Sequence, residues 1–134
     1  MIIDRVDWLM RERIDVVISA LTEEEYAEYM IDCRDFTGKT WHPLVIDDIP
    51  DEQIYSHFDF VHLIIRKALA EGKRVLVHCS AGVSRSVTLV AAYLMMEKSI
   101  GVDAALSLIV KRREYANPNR GFIRQLRLLE RMVI

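Results

Sequence analysis

Nine consecutive residues, His78-Cys79-Ser80-Ala81-Gly82-Val83-Ser84-Arg85-Ser86, restrict this chain more than any other stretch. An apolar run, Val75-Leu76-Val77, leads into them, and a helix-like run from Val87 to Met96 leads out. The order is therefore strand, tight loop, helix. A loop that feeds a helix N-terminus turns backbone N–H groups toward one spot and sets the positive end of the helix dipole there. A thiol at that spot should lose its proton easily. An oxyanion should bind there, with Arg85 able to grip two of its oxygens at once. The local reading is a phosphate cradle, lined by the backbone from Ser80 to Arg85, with Cys79 as a nucleophile at its floor.

A cysteine at a strand end is often only a small buried residue. Here the neighbours argue for chemistry. Gly82 and the small Ser80, Ala81 and Ser84 let the backbone curl closely around a ligand. Arg85 stands where the helix begins, a place where folding alone does not call for an arginine. His78 is suited to order the loop by a hydrogen bond, and Ser86 to donate its hydroxyl to the sulfur.

The pattern His-Cys-x-x-Gly-x-Ser-Arg-Ser resembles the signature of the dual-specificity branch of the cysteine-based protein tyrosine phosphatases. The similarity runs from about Ile14 to the C-terminus. It includes Leu44-Val45-Ile46-Asp47-Asp48-Ile49-Pro50-Asp51-Glu52 and Asn117-Pro118-Asn119-Arg120-Gly121-Phe122, followed by Gln125-Leu126. The resemblance implies a compact α/β catalytic domain, a phosphorylated protein substrate and no cofactor.

A length of 134 residues suits one packed domain. Apolar residues make up 51% and charged residues 28%, a globular balance. No apolar stretch reaches about 18 residues, so no membrane span is expected. Met1-Ile2-Ile3-Asp4-Arg5 lacks the form of a secretion signal. Two cysteines, Cys33 and Cys79, are too few for a disulfide scaffold and fit a reducing cytoplasm. The scarcity of Asn and Gln is a weak hint of a heat-adapted source. The formal net charge of −2 hides an asymmetry. Residues 1–71 carry 7 Lys and Arg against 16 Asp and Glu, whereas residues 72–134 carry 11 against 4. The basic half holds the cysteine loop and favours a phosphorylated substrate. Most of its basic residues, Lys111-Arg112-Arg113, Arg124, Arg127 and Arg131 among them, read as solvated helix faces. No aromatic residues interleave with the basic run, which argues against nucleic acid. A monomer is the default expectation.

The coarse layout alternates strands and helices. A helix is expected over 6–13 and a buried strand over 15–20. Thr22 and Glu25 stand three apart, as in a capping box, and open a second helix. A turn-rich loop over 35–39 precedes a strand over 41–46. A long helix follows Pro50, with Ile54, Phe58, Val61, Ile65 and Ala68 on one stripe, and Gly72 ends it. A third strand, 74–78, delivers the cysteine. Helices over 86–98, 102–115 and 121–133 complete the chain. The fold class is α/β: a mostly parallel central sheet flanked by helices, with the site at the strand C-termini.

Hydrolysis needs an acid for the departing oxygen. Asp47, Asp48 and Asp51 lie near the end of the second strand, and spacing alone does not choose among them. The family pattern places its acid some ten residues before an aromatic in the next helix, which matches Asp48, ten before Phe58 and 31 before Cys79. Asp51 then reads as a helix N-terminal charge. The resemblance also implies that Asn119 braces the phosphate loop and that Gln125 serves packing. Some relatives guard their nucleophile by a disulfide, which would pair Cys33 with Cys79 under oxidation; a buried structural thiol is the plainer reading of Cys33. His42, His57 and His62 show no metal-ligand spacing.

Two departures from the family stand out. Many members begin with a strand hairpin, whereas this chain is expected to start directly at the first helix, and its length is expected to leave no room for the long recognition loop of tyrosine-specific enzymes. A shallow, open pocket is expected, able to admit phosphoserine and phosphothreonine as well as phosphotyrosine. The loop interior carries no lysine, which disfavours a phosphoinositide. Four rival readings remain in view: a non-catalytic phospho-residue binding module, a phosphatase acting on a non-protein phosphate ester, a rhodanese-like sulfur transferase and a thiol arsenate reductase.

Overall fold

The computed structural model describes residues 13–28, 38–81 and 83–134. Three strands form a fully parallel sheet in the order β2-β1-β3: β1 (Val16–Leu21), β2 (Thr40–Val45) and β3 (Val75–Cys79). The sequence Val-Val-Ile-Ser-Ala-Leu does not alternate because β1 is the central strand and is buried on both faces. Pro43 lies opposite Ser19 on β2. The ladder bonds from β2 to β1 run through its even residues, with Thr40 donating to the Asp15 carbonyl and, just past the strand, Ile46 donating to the Leu21 carbonyl. Pro43 therefore sits in the phase whose nitrogen faces away from β1, the place where an edge strand tolerates proline.

Among the described residues five α-helices accompany the sheet: α1 (Glu23–Glu28), α2 (Phe58–Ala70), α3 (Arg85–Lys98), α4 (Val102–Val110) and α5 (Arg120–Val133). The Thr22–Glu25 box forms as expected. The Glu25 N–H donates to Thr22 Oγ1 at 3.0 Å, and the Thr22 N–H donates to Glu25 Oε1 at 2.9 Å. The stripe after Pro50 is buried throughout, but its first turn, Ile54–His57, is a tight 3-10 turn and the α-helix begins at Phe58. Gly72 follows the helix in the left-handed conformation, φ +73°. Helix α4 stops at Val110, five residues short of the expected end. Ile109 is its last buried residue, and Lys111 to Tyr115 are all exposed. With no further apolar side chain to bury, the chain turns there, and the N–H groups of Arg112 and Arg113 both return to the Ile109 carbonyl.

One face of the sheet carries the main core. Ile18, Ala20 and Cys79 pack there with Phe58, Leu89, Met95, Phe122 and Leu126. Helix α3 is its hub, buried along most of its length and in contact with α2, α4, α5 and β3. Each large apolar side chain buried in this way contributes about 1.5–3 kcal/mol. The other face carries a smaller cluster of Ile14, Val17 and Leu21, joined by Tyr26, Trp41 and Leu76. The helix expected over 6–13 falls almost wholly outside the described residues, as do Cys33, Gly82 and the first part of the loop over 35–39.

Gly121 opens α5 so close to the chain at Pro50 that a methyl group there would collide with the Pro50 backbone. In an open helix, glycine to alanine stabilises by up to about 1 kcal/mol. Here the sign reverses, and Gly121→Ala should destabilise by about 1–3 kcal/mol, read as a lower melting temperature in thermal denaturation.

Candidate active site

Cys79 ends β3 and is 6% exposed. Two groups from the first turn of α3 meet its sulfur. Ser86 Oγ lies 3.2 Å from Sγ, and the Ser86 N–H points to Sγ at 3.4 Å. Ser84 occupies the N-cap position of α3 but makes no side-chain cap. Its hydroxyl instead accepts the Asn119 N–H at 2.9 Å, while its carbonyl accepts the N–H and hydroxyl of Thr88. A serine at this position ordinarily satisfies one of the free amides of the first turn. Its diversion leaves that turn open toward Cys79. Ala81 adopts φ +66°, a left-handed conformation that costs a non-glycine residue about 1–2 kcal/mol. The chain accepts that strain as it curls from strand to helix.

Arg85 is the first residue of α3 and is 5% exposed. Its guanidinium meets Glu25 end-on, Nη1 to Oε1 at 2.5 Å and Nη2 to Oε2 at 3.1 Å. Nη1 also donates to the Ile46 carbonyl at 3.1 Å. Nε is buried and has no partner among the described residues. A guanidinium carries five N–H groups in a planar fork. The bonds present leave Nε–H and one N–H of Nη2, the pair that lies side by side along one edge. That edge can take two oxygens of one tetrahedral anion.

Glu25 is the site residue the sequence reading missed. It read only as half of a capping box, and it performs that task while holding Arg85. The hydrogen bond from Arg85 is the main reason its carboxyl falls from 4.5 to about 2; burial opposes the shift, and the Thr22 N–H, the Arg85 charge and the Ser80 hydroxyl reinforce it. Burial works against the Arg85 charge in turn. Glu25, with smaller contributions from Cys79 and Asp48, outweighs that penalty and raises the guanidinium above its ordinary value. Arg85 thus also has a structural partner, contrary to the expectation that folding has no use for it. The usable signal was an arginine fated for burial, which demands a carboxylate nearby.

The carboxylates after β2 stand on a braced loop. Asp47, Asp48 and Asp51 are all exposed. Asp48 is the one tied to the cradle: Asn119 Nδ2 donates to its Oδ1 at 2.9 Å. Asn119 also caps α5 by accepting the Phe122 N–H at 2.9 Å, and its own N–H reaches Ser84. One asparagine therefore joins the cysteine loop, the acidic loop and a helix start. The neighbouring Asn117 N–H bonds the Val83 carbonyl. Gln125, expected to serve packing, donates to the Glu52 carbonyl and accepts the Tyr55 N–H, both at 2.8 Å. Glu52 in turn accepts the Asp47 N–H at 2.6 Å.

His78 points its Nε2 at Ser19 Oγ, 2.6 Å away. His62 meets Glu97 at 3.0 Å between α2 and α3, far from any metal-like grouping. Among the described residues no three His, Cys, Asp or Glu side chains gather as a metal site, and no helix is long and apolar enough to cross a membrane. Arg124 and Arg131 are exposed, and Arg127 pairs with Asp103 on α4.

Residues 5–132 match the sequence pattern described as "Dual specificity phosphatase, catalytic domain". The chain belongs to this family. It is 48% identical over 85 residues to "Tyrosine-protein phosphatase yvh1" of Schizosaccharomyces pombe, covering 63% of this chain and 26% of that protein. It is 42% identical over 86 residues to "Dual specificity protein phosphatase 1B" of Arabidopsis thaliana, covering 64% of this chain and 52% of that protein. The chain thus spans only part of the length of these relatives. Among solved structures it resembles a human tyrosine phosphatase-like serine/threonine/tyrosine-interacting protein, at 30% identity and a TM-score of 0.87, over 96% of this chain and 84% of that one. The Yvh1 phosphatase domain of Chaetomium thermophilum gives 29% identity and a TM-score of 0.83, over 96% and 85%.

The low carboxyl pKa of Glu25 sets a pH window for the family fold. Its contribution to stability is fully present above about pH 4.5 and is lost as pH falls from there through about 2. Urea denaturation of the wild type should therefore lose stability across that window more steeply than denaturation of Glu25→Gln, which has no proton to gain.

Proposed function

We propose that the chain is a single catalytic domain that hydrolyses phosphate monoesters on proteins, phosphotyrosine foremost and phosphoserine and phosphothreonine as well, through a cysteinyl-phosphate. The observation that carries this reading is one edge of Arg85: a buried, charged fork with two N–H groups unused among the described residues, set at the head of the helix whose first turn meets the Cys79 sulfur. A buried donor without a partner is costly, and an oxyanion would satisfy it. Family membership supports the same chemistry.

In the first step Cys79, as thiolate, attacks phosphorus in line and the phosphorus–oxygen bond to the substrate breaks. Arg85 and the backbone N–H groups from Ser80 to Arg85 hold the three remaining oxygens. Asp48 gives its proton to the departing alkoxide or phenoxide. Asn119 occupies Oδ1 of Asp48, which leaves Oδ2 to carry that proton. In the second step water attacks the cysteinyl-phosphate and passes a proton to the Asp48 carboxylate. The phosphorus–sulfur bond breaks, Ser86 donates its hydroxyl to the returning thiolate, and inorganic phosphate leaves. His78 and Asn119 hold the loop in place. The cradle supplies the positive charge, so the chemistry calls for no metal or organic cofactor. A thiol of this kind suits a reducing compartment such as the cytoplasm.

The test is hydrolysis of p-nitrophenyl phosphate, followed by a panel of phosphotyrosine and phosphothreonine peptides. Cys79→Ser should abolish turnover, and Asp48→Asn should lower kcat by about 10²–10⁴. Wild-type rates in Cys79→Ser would remove the nucleophile assignment. Phosphopeptide binding without hydrolysis by the wild type would instead favour a binding module.

A further inference from the structure

Directly beside Cys79, a polar bar crosses all three strands within the smaller face of the sheet. Trp41 on β2 donates its indole Nε1–H to Ser19 Oγ on β1 at 3.0 Å. Ser19 Oγ meets His78 Nε2 on β3 at 2.6 Å. Ser19 has no exposure at all, and its register partner on β3 is His78. Around it lie Val17, Leu21 and Leu76. Burying the hydroxyl completely, and the indole and imidazole in part, carries a desolvation penalty that apolar side chains would avoid.

The direction of the bonds follows from what each group can do. Indole is a donor only, so one lone pair of Ser19 Oγ accepts from Trp41. The remaining Ser19 O–H is fully buried and needs an acceptor, and among the described residues His78 Nε2 is the one within reach. Nε2 is then the bare nitrogen, and the imidazole proton sits on Nδ1. A second tie reaches the same strand: the Tyr26 hydroxyl donates to the carbonyls of Ser19 and Leu44, at 3.1 and 2.7 Å. Tyr26 follows Glu25 on α1, so the helix whose Glu25 pairs with Arg85 is fastened to β1, whose Ser19 meets His78.

We infer that Ser19 and Trp41 are positioning residues that fix the tautomer and orientation of His78, and through it the end of β3 from which Cys79 presents its sulfur. The inference rests on Cys79 being the reactive group of the proposed function. The distances of 3.2 and 3.4 Å from Sγ to Ser86 depend on where β3 stops. His78 is the last side chain anchored across the sheet before that point.

The experiment reads His78 and Cys79 apart from turnover. Two-dimensional proton–nitrogen spectra of the wild type should show His78 as the Nδ1–H tautomer. Alkylation of Cys79 by iodoacetate at fixed pH should slow by about tenfold in Ser19→Ala, the worth of one buried hydrogen bond. It should slow less in Trp41→Phe and return to within about twofold of wild type in Ser19→Thr, which keeps the hydroxyl. Far-UV circular dichroism and the melting temperature identify the folded variants. An Nε2–H tautomer in the wild type, or undiminished alkylation in a folded Ser19→Ala, overturns the inference. The wild-type spectrum decides the matter even where Ser19→Ala does not fold. Absence of phosphate-ester hydrolysis in a wild type that shows the Nδ1–H tautomer and rapid alkylation would refute the proposed function, and with it the catalytic purpose of the positioning, while the tautomer and the alkylation rates still report whether Ser19 positions His78 and Cys79.

Discussion

A guanidinium taken almost wholly out of water must find an opposite charge, and in this chain Arg85 finds Glu25. Much of the site follows from that requirement. Helix α1 must begin at Glu23 for Glu25 to reach Arg85, and the capping box with Thr22 fixes that start. The end-on meeting of the two groups uses one edge of the guanidinium and leaves another clear. A carboxylate that took the other edge would have filled the place of an anionic ligand. Pairing with Glu25 thus leaves Nε–H of the same side chain without a partner among the described residues.

The second organising element is the start of α5. Asn119, Gly121 and Gln125 all address the loop after β2, by a side-chain amide bond to Asp48, by close backbone approach at Pro50, and by bonds to Glu52 and Tyr55. Asn119 bonds Ser84 as well. Residues far apart in the chain, near 48, 84 and 120, are therefore held as one unit. Each bond taken singly is worth about 0.5–1.5 kcal/mol. Their value lies in fixing relative positions.

Much of this was legible in the sequence. The apolar runs marked all three strands, and the spacing of Ile54, Phe58, Val61, Ile65 and Ala68 marked the stripe of α2, because burial on one face imposes its period on the chain. The Cys79 loop announced its strand–loop–helix setting through its flanks. What the sequence hid were contacts between distant segments. Glu25 lay inside a local motif that explained it fully, so nothing called for a second partner 60 residues on. Gln125 bonds backbone groups, and backbone partners leave no mark on the residue types nearby. The end of α4 was misjudged because Lys111 to Glu114 have good helix propensity, whereas the helix is held by burial that ceases at Ile109.

The tight seat of Gly121 against Pro50 bears on time as well as shape. A loop clamped at its carbonyl, its amides and its carboxylate has little freedom to swing between open and shut positions. Substrate would meet a cleft already in its working form, with no slow closing motion between encounter and bond breaking. Turnover would then be governed by the chemical steps and the departure of phosphate, and solvent viscosity would retard it only through diffusion.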